Sequence, residues 1–212
     1  MSKSCNNNCS FVSKEHLTPR YKTILWIALI INAGMFLVEM VAGVKGQSVS
    51  LMADAVDFLS DAGNYVITLI VLGMSLRHRA IAALVKGLSM GAVGLWILGS
   101  LAYYALQGTV PSVPIMSTVA FLALTANVIS AFLLYRYREG DSNMRSVWIC
   151  SRNDAVSNIA VMLAAGAVYF VGHGWPDLLV ALIMAAVSLY GAWQIINAAL
   201  KEIKYTKTHP HN

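Results

Sequence analysis

The 212-residue chain is short of charge. Asp, Glu, Lys and Arg together make up 12% of it, against roughly 25% in soluble domains. Hydrophobic residues make up 58%, which argues against a water-soluble fold. Cysteine is also scarce: Cys5 and Cys9 near the N-terminus and Cys150 beside an apolar run imply no disulfide framework. The first twenty residues lack an apolar core with a small-residue cleavage site. A cleaved leader is therefore not expected, and the first apolar segment should itself direct insertion. No H-E-x-x-H motif and no nucleophile–base pair is visible, which argues against an enzyme. The net charge of +5 does not point to nucleic acid. The basic residues sit at the ends of apolar runs, as topology signals do, and no base-reading motif accompanies them.

What the chain has instead is long apolar runs, six of them. They extend from about Thr23 to Val44, Val49 to Leu76, Ala80 to Leu106, Ile115 to Tyr135, Val147 to Val171 and Asp177 to Leu200. A spanning helix needs ~20 mostly apolar residues. The pattern predicts an all-α membrane protein of six transmembrane helices, with a transport-sized membrane domain over residues 22–200. A flexible tail over 1–21 and a short tail over 201–212 flank it. Lys3, Lys14, Arg20 and Lys22, then Arg77 and Arg79, then Arg136, Arg138 and Arg145, then Lys201, Lys204 and Lys207 all fall on one side of such a chain, while the opposite loops hold only Lys45. The positive-inside rule puts that side, and both termini, in the cytoplasm, with the cell (inner) membrane as the expected location. Trp26, Trp148, Trp175 and Trp193 lie near span ends and read as interfacial anchors. Gly87, Gly91 and Gly94 predict close helix packing, within the protomer or at a dimer contact.

The informative residues are acidic. Of the ten, Glu15, Glu139, Asp141, Asp177 and Glu202 are assigned to tails and loops, whereas Glu39, Asp54, Asp57, Asp61 and Asp154 fall inside spans. An ionisable group at the bilayer centre costs at least ~2.5–3.5 kcal/mol. The five must face the bundle interior and be balanced by protons, metal ions or basic side chains. Lys86 and Arg152 are the only basic residues within the spans and cannot neutralise all five. Lys86 is expected to snorkel to the cytoplasmic face.

Spacing narrows the choice. Asp54, Asp57 and Asp61 stand at i, i+3 and i+7, on one helical face. Asp57 and Asp61 form D-x-x-x-D, Cys150 and Asp154 form C-x-x-x-D, and Asn158 extends the second face by a turn. At 1.5 Å per residue, Asp61 lies ~18 Å down from the outer start of its span and Asp154 ~11–14 Å up from the inner end of its own. In a core of ~30 Å these depths nearly meet. Two helices side by side then offer two ligands each to one ion, a number that suits a tetrahedral site.

The stretch Ser48 to Asp61, S-V-S-L-M-A-D-A-V-D-F-L-S-D, resembles the second-span signature of the cation diffusion facilitator (cation efflux) family. Asn32, Glu39 and Gly43 resemble its first-span pattern, and C-S-R-N-D-A-V-S-N-I-A-V from Cys150 resembles its second H-x-x-x-D box, with cysteine where histidine usually stands. The resemblance covers roughly residues 22 to 200. It implies a compact bundle of the first, second, fourth and fifth helices beside the third and sixth. It also implies a homodimer and metal/proton antiport that exports a divalent cation, with Zn2+ foremost and Cd2+, Co2+, Fe2+ or Mn2+ as alternatives. Carried over by position, the metal ligands are Asp57, Asp61, Cys150 and Asp154, with Asp54, Asn158, Glu39 and Asn32 as supporting or proton-path residues. The family's C-terminal cytoplasmic domain has no counterpart after the sixth span, so a short form is expected.

Cys150 has two readings. As a thiolate it favours softer metals over magnesium or manganese. As a small buried hydrophobe it leaves Asn153 or Asn158 to supply a carbonyl oxygen. Cys5 and Cys9, and likewise His209 and His211, either capture metal or belong to unstructured tails. Two other functions compete with metal export. A proton-coupled carrier of organic cations also needs buried acids, and a membrane metal sensor or assembly protein binds metal without moving it. No resident prosthetic group is expected in any of these; the metal is cargo.

Overall fold

The computed structural model describes residues 19–70, 76–135 and 142–208. Within the helix that begins at Ser142, side chains are described from Asp154 onward. The expectations for the Cys150, Asn153 and Arg152 side chains, and for Cys5, Cys9, His209 and His211, therefore lie outside the described residues.

Six helices account for nearly all of the described chain: α1 (Pro19–Gly46), α2 (Val49–Ile70), α3 (Leu76–Gln107), α4 (Val113–Tyr135), α5 (Ser142–Val171) and α6 (Trp175–Thr208). They run from 22 residues in α2 to 34 in α6, or ~33–51 Å, enough to cross a ~30 Å hydrocarbon core. α1 begins on a proline, whose fixed φ and missing N–H suit the first helical position. α3 and α5 are each followed by a glycine at positive φ, Gly108 (63°) and Gly172 (69°). That left-handed turn carries no Cβ penalty and lets the Gly172 N–H return to the Val168 carbonyl at 2.9 Å.

Five of the helices are long and apolar enough to cross a membrane by themselves. α2 is the exception, and its three aspartates explain why. It sits in the middle of the bundle, packed against all five others. α1 pairs with α2, α4 with α5, and α1 with α4, while α3 and α6 form their own pair. This is the division that the resemblance implies.

The packing uses small residues where helices cross. A Cβ added at Gly87 would come within 2.9 Å of Ile196 Cγ1, and one at Gly94 within 2.8 Å of Leu189 Cδ2. The glycine stripe of α3 thus lets α6 approach within the same protomer. Outward, large apolar side chains are exposed: Ile30 and Leu37 on α1, Phe132 on α4, Leu163 and Phe170 on α5, Val187 on α6. Inward, the buried set includes Asn32, Glu39, Asp54, Asp61, Asn127 and Asn158. Apolar outside and acidic inside is the arrangement of a protein solvated by lipid.

Candidate metal centre

α2 presents Asp54, Asp57 and Asp61 along one face, as the spacing requires. Glu39 of α1 and Asp54 are sealed from solvent (0% and 1% exposed), and Asp61 nearly so (5%). Asp57 and Asp154 keep part of their surface open. The cluster therefore has a closed end at Glu39 and Asp54 and an open edge at Asp57 and Asp154.

At the level of Asp61, α2 meets α5: the Asp61 and Asp154 carboxyl groups are within hydrogen-bonding reach of each other. Tyr65, one turn on, donates its hydroxyl to Asp61 Oδ2 at 3.3 Å, and the Asn64 side chain also reaches Asp61. Asp57 lies between this pair and Asp54 and feels the charge of both Asp54 and Asp61. Ser188 Oγ of α6 is 3.5 Å from Asp57 Oδ1, the outer limit of a hydrogen bond. At the closed end, Glu39 and Asp54 face one another. Ser157 of α5 donates to Asp54 Oδ1 at 3.2 Å, whereas Asp54 Oδ2 and both Glu39 oxygens have no donor among the described residues.

Two facing carboxylates are both acceptors. In a water-poor interior such a pair is costly unless a proton or a cation lies between them. The site contains two such pairs, Asp61 with Asp154 and Glu39 with Asp54. Among the described residues no three His, Cys, Asp or Glu side chains form a closed ligand group. The Cys150 side chain of the C-x-x-x-D pair lies outside those residues.

The predicted residues divide accordingly. The structure brings Asp61 to Asp154, sets Asp57 and Asp54 beside them, and joins Glu39 to the far end. Asn158 donates Nδ2 to the Asp154 carbonyl at 2.8 Å and leaves Oδ1 buried without a donor. Asn32 does the same toward Ala28, also at 2.8 Å, again with Oδ1 unpartnered. Among the described residues no hydrogen bond joins Asn32 to the carboxylates.

Two expectations are corrected. Asp177 is not a loop residue: it lies in the first turn of α6, 1% exposed, and binds the start of α2. Lys86 does not snorkel outward: its Nζ donates to Asn64 Oδ1 on α2. The lysine head is therefore turned toward α2 rather than away from the bundle. Sequence reasoning also passed over Tyr65, Asn64 and Ser157. Each stands three or four residues from a singled-out aspartate and was findable from helical spacing. Ser188 was not, because nothing in its own helix signals which neighbour it faces.

The family model described as "Cation efflux transmembrane domain" matches residues 25–203. The chain is similar to the cadmium, cobalt and zinc/H(+)-K(+) antiporter of Bacillus subtilis (strain 168), 24% identical over 82% of this chain and 60% of that protein. It is similar to the zinc transporter ZitB of Escherichia coli (strain K12), 24% identical over 84% of this chain and 61% of that one. The metal cation efflux system protein CzcD of Cupriavidus metallidurans is 25% identical over 83% and 60%, respectively. The chain thus spans about three-fifths of the length of these relatives.

Proposed function

The chain belongs to the cation efflux family, a family of transporters rather than enzymes, and from that premise we propose that it exports a divalent metal cation in exchange for protons. The observation that carries this reading is the meeting of Asp61 on α2 with Asp154 on α5, with Asp57 beside them. Acidic side chains from two different helices meet inside a bundle whose outer face is apolar. Asp57, Asp61 and Asp154 are the proposed ligands, and Cys150, one turn before Asp154, is the proposed fourth. Zn2+ is the foremost cargo, with Cd2+ and Co2+ next; the names of the relatives speak for these metals over organic cations.

The exchange follows from charge. A dication among the ligands neutralises carboxylates that cannot stay ionised together unaided. When the ion leaves, protons take its place on the same oxygens. Metal and protons then exclude one another, and rocking of the helices between inward and outward access couples the two flows. Glu39 and Asp54, at the closed end, hold a proton between them and support the ligand helix rather than binding the ion. The positive-inside pattern supports cytoplasmic termini in the cell (inner) membrane, and the family likeness supports a homodimer.

Zinc flux into proteoliposomes under a pH gradient tests the assignment. Asp57→Asn and Asp154→Asn should each reduce flux by about 100-fold or more, beyond the 10–100-fold typical of residues that merely orient ligands. Wild-type flux in either variant would overturn the ligand set.

A further inference from the structure

Among the described residues, Lys86 is the basic side chain within a span that the transport reading leaves unused. It comes from α3, outside the helices that carry the proposed ligands, yet it is turned into the bundle. Its Nζ donates to Asn64 Oδ1 on α2. Asn64 lies three residues beyond Asp61, and its side chain also reaches the Asp61 carboxylate. The amide thus stands between cation and anion, its oxygen accepting from lysine and its nitrogen free to donate to aspartate. Asp61 in turn feels the Lys86 charge directly.

α2 is shaped for this side chain. A Cβ at Gly63 would lie 3.0 Å from both Cγ and Cδ of Lys86, tighter than side chains pack, so glycine leaves the channel in which the lysine stem runs. Asp61, Gly63 and Asn64 together form a seat, with a groove for the stem, an acceptor for the head and an anion just beyond.

We propose that Lys86 is the resident counter-cation of the ion site, acting on Asp61 through Asn64 to weaken metal binding and speed release. This rests on the ligand role of Asp61 proposed above. A fixed positive charge near a ligand repels an arriving dication, and at the low effective dielectric of the interior that repulsion amounts to at least about tenfold in affinity. It stays beside Asp61 once the ion has left and protons have taken the metal's place on the carboxylates. An exporter gains from this, because a site of unrelieved carboxylates would hold its ion rather than pass it on. Lys86 is a positioning and tuning residue; it does not touch the metal.

The test exploits the sign. Damage to the bundle weakens binding, whereas removal of a repelling charge tightens it. Zn2+ affinity is measured by titration calorimetry on the full chain in nanodiscs, and turnover by flux in proteoliposomes. Lys86→Met keeps the stem and removes the charge; Lys86→Gln also keeps a polar head against Asn64. Both should bind Zn2+ at least about tenfold more tightly and turn over more slowly, while Lys86→Arg should restore both values toward wild type. Unchanged or weaker affinity in a monodisperse Met or Gln variant overturns the proposal. So does a failure of both neutral variants to fold while Lys86→Arg folds, which assigns the lysine to structure alone. Absence of Zn2+ binding by the wild type would instead remove the ligand reading on which this proposal stands.

Discussion

Asp177 and Asp61 are both buried aspartates of the α2 region, one docked on the N-terminal end of α2 and one within α2 near its middle, and their surroundings are opposite. Asp177 reaches across from α6 and accepts from Ser48 Oγ at 2.7 Å, Val49 N–H at 2.8 Å, Ser50 N–H at 3.2 Å and the Ser50 hydroxyl. Those donors include the unpaired N–H groups of the first turn of α2, where the helix dipole also favours an anion. Every demand of the charge is met by the protein. Asp61 receives the Tyr65 hydroxyl at 3.3 Å, is reached by the Asn64 side chain, and faces another carboxyl group. Asp54 and Glu39, deeper in the same cluster, leave three oxygens between them without a donor. Burial alone therefore does not mark a working acid. A carboxylate met on every side by donors is a structural tie, and one set against other carboxylates needs a proton or a cation between them.

Substitutions at the two ends of α2 should separate these roles. Asp177→Ala removes a charged cap and strands its donors, and should cost about 3 kcal/mol of stability, read from unfolding in mixed micelles. Zn2+ affinity in the protein that remains folded should stay at the wild-type value. A loss of affinity without a loss of stability would erase the distinction. Asp61→Asn should act in the opposite sense. It replaces one of two facing carboxylates by an amide able to donate to Asp154, so the metal-free protein should gain about 1 kcal/mol while Zn2+ binding is lost. Destabilisation by this variant would show that the pair is a structural contact like Asp177. The smallest effect is expected at Ser188, whose hydroxyl only grazes Asp57. Ser188→Ala should weaken Zn2+ binding by at most about tenfold and leave stability near wild type, as calorimetry and unfolding on the same preparation would reveal.

The six helices were legible because lipid imposes a one-dimensional rule: a run of apolar residues long enough to cross must be a helix. The boundaries were less so. α3 begins four residues before its apolar run and α6 continues to Thr208, eight residues beyond Leu200, because hydrogen bonding carries a helix past the edge of its hydrophobic stretch. The acids of α2 were legible for a related reason. A charge in a span is expensive enough to announce itself, and helical periodicity then groups Asp54, Asp57 and Asp61 on one face.

Partnership was not legible. Asp177 read as a loop residue because it follows Pro176 at the start of a run, and only the docking of α6 on α2 turns it into the cap of a helix 127 residues away from it in sequence. Lys86 read as a snorkelling lysine because Gly63, which opens its path along α2, lies on another helix. By itself the sequence determined how many helices cross, which of them carries the acids and how those acids are spaced, all consequences of local periodicity and of the cost of charge in lipid. Which donors reach each acid, and which acids are left facing one another, was decided only by tertiary packing, since hydrogen bonds between helices depend on distances that no single helix encodes.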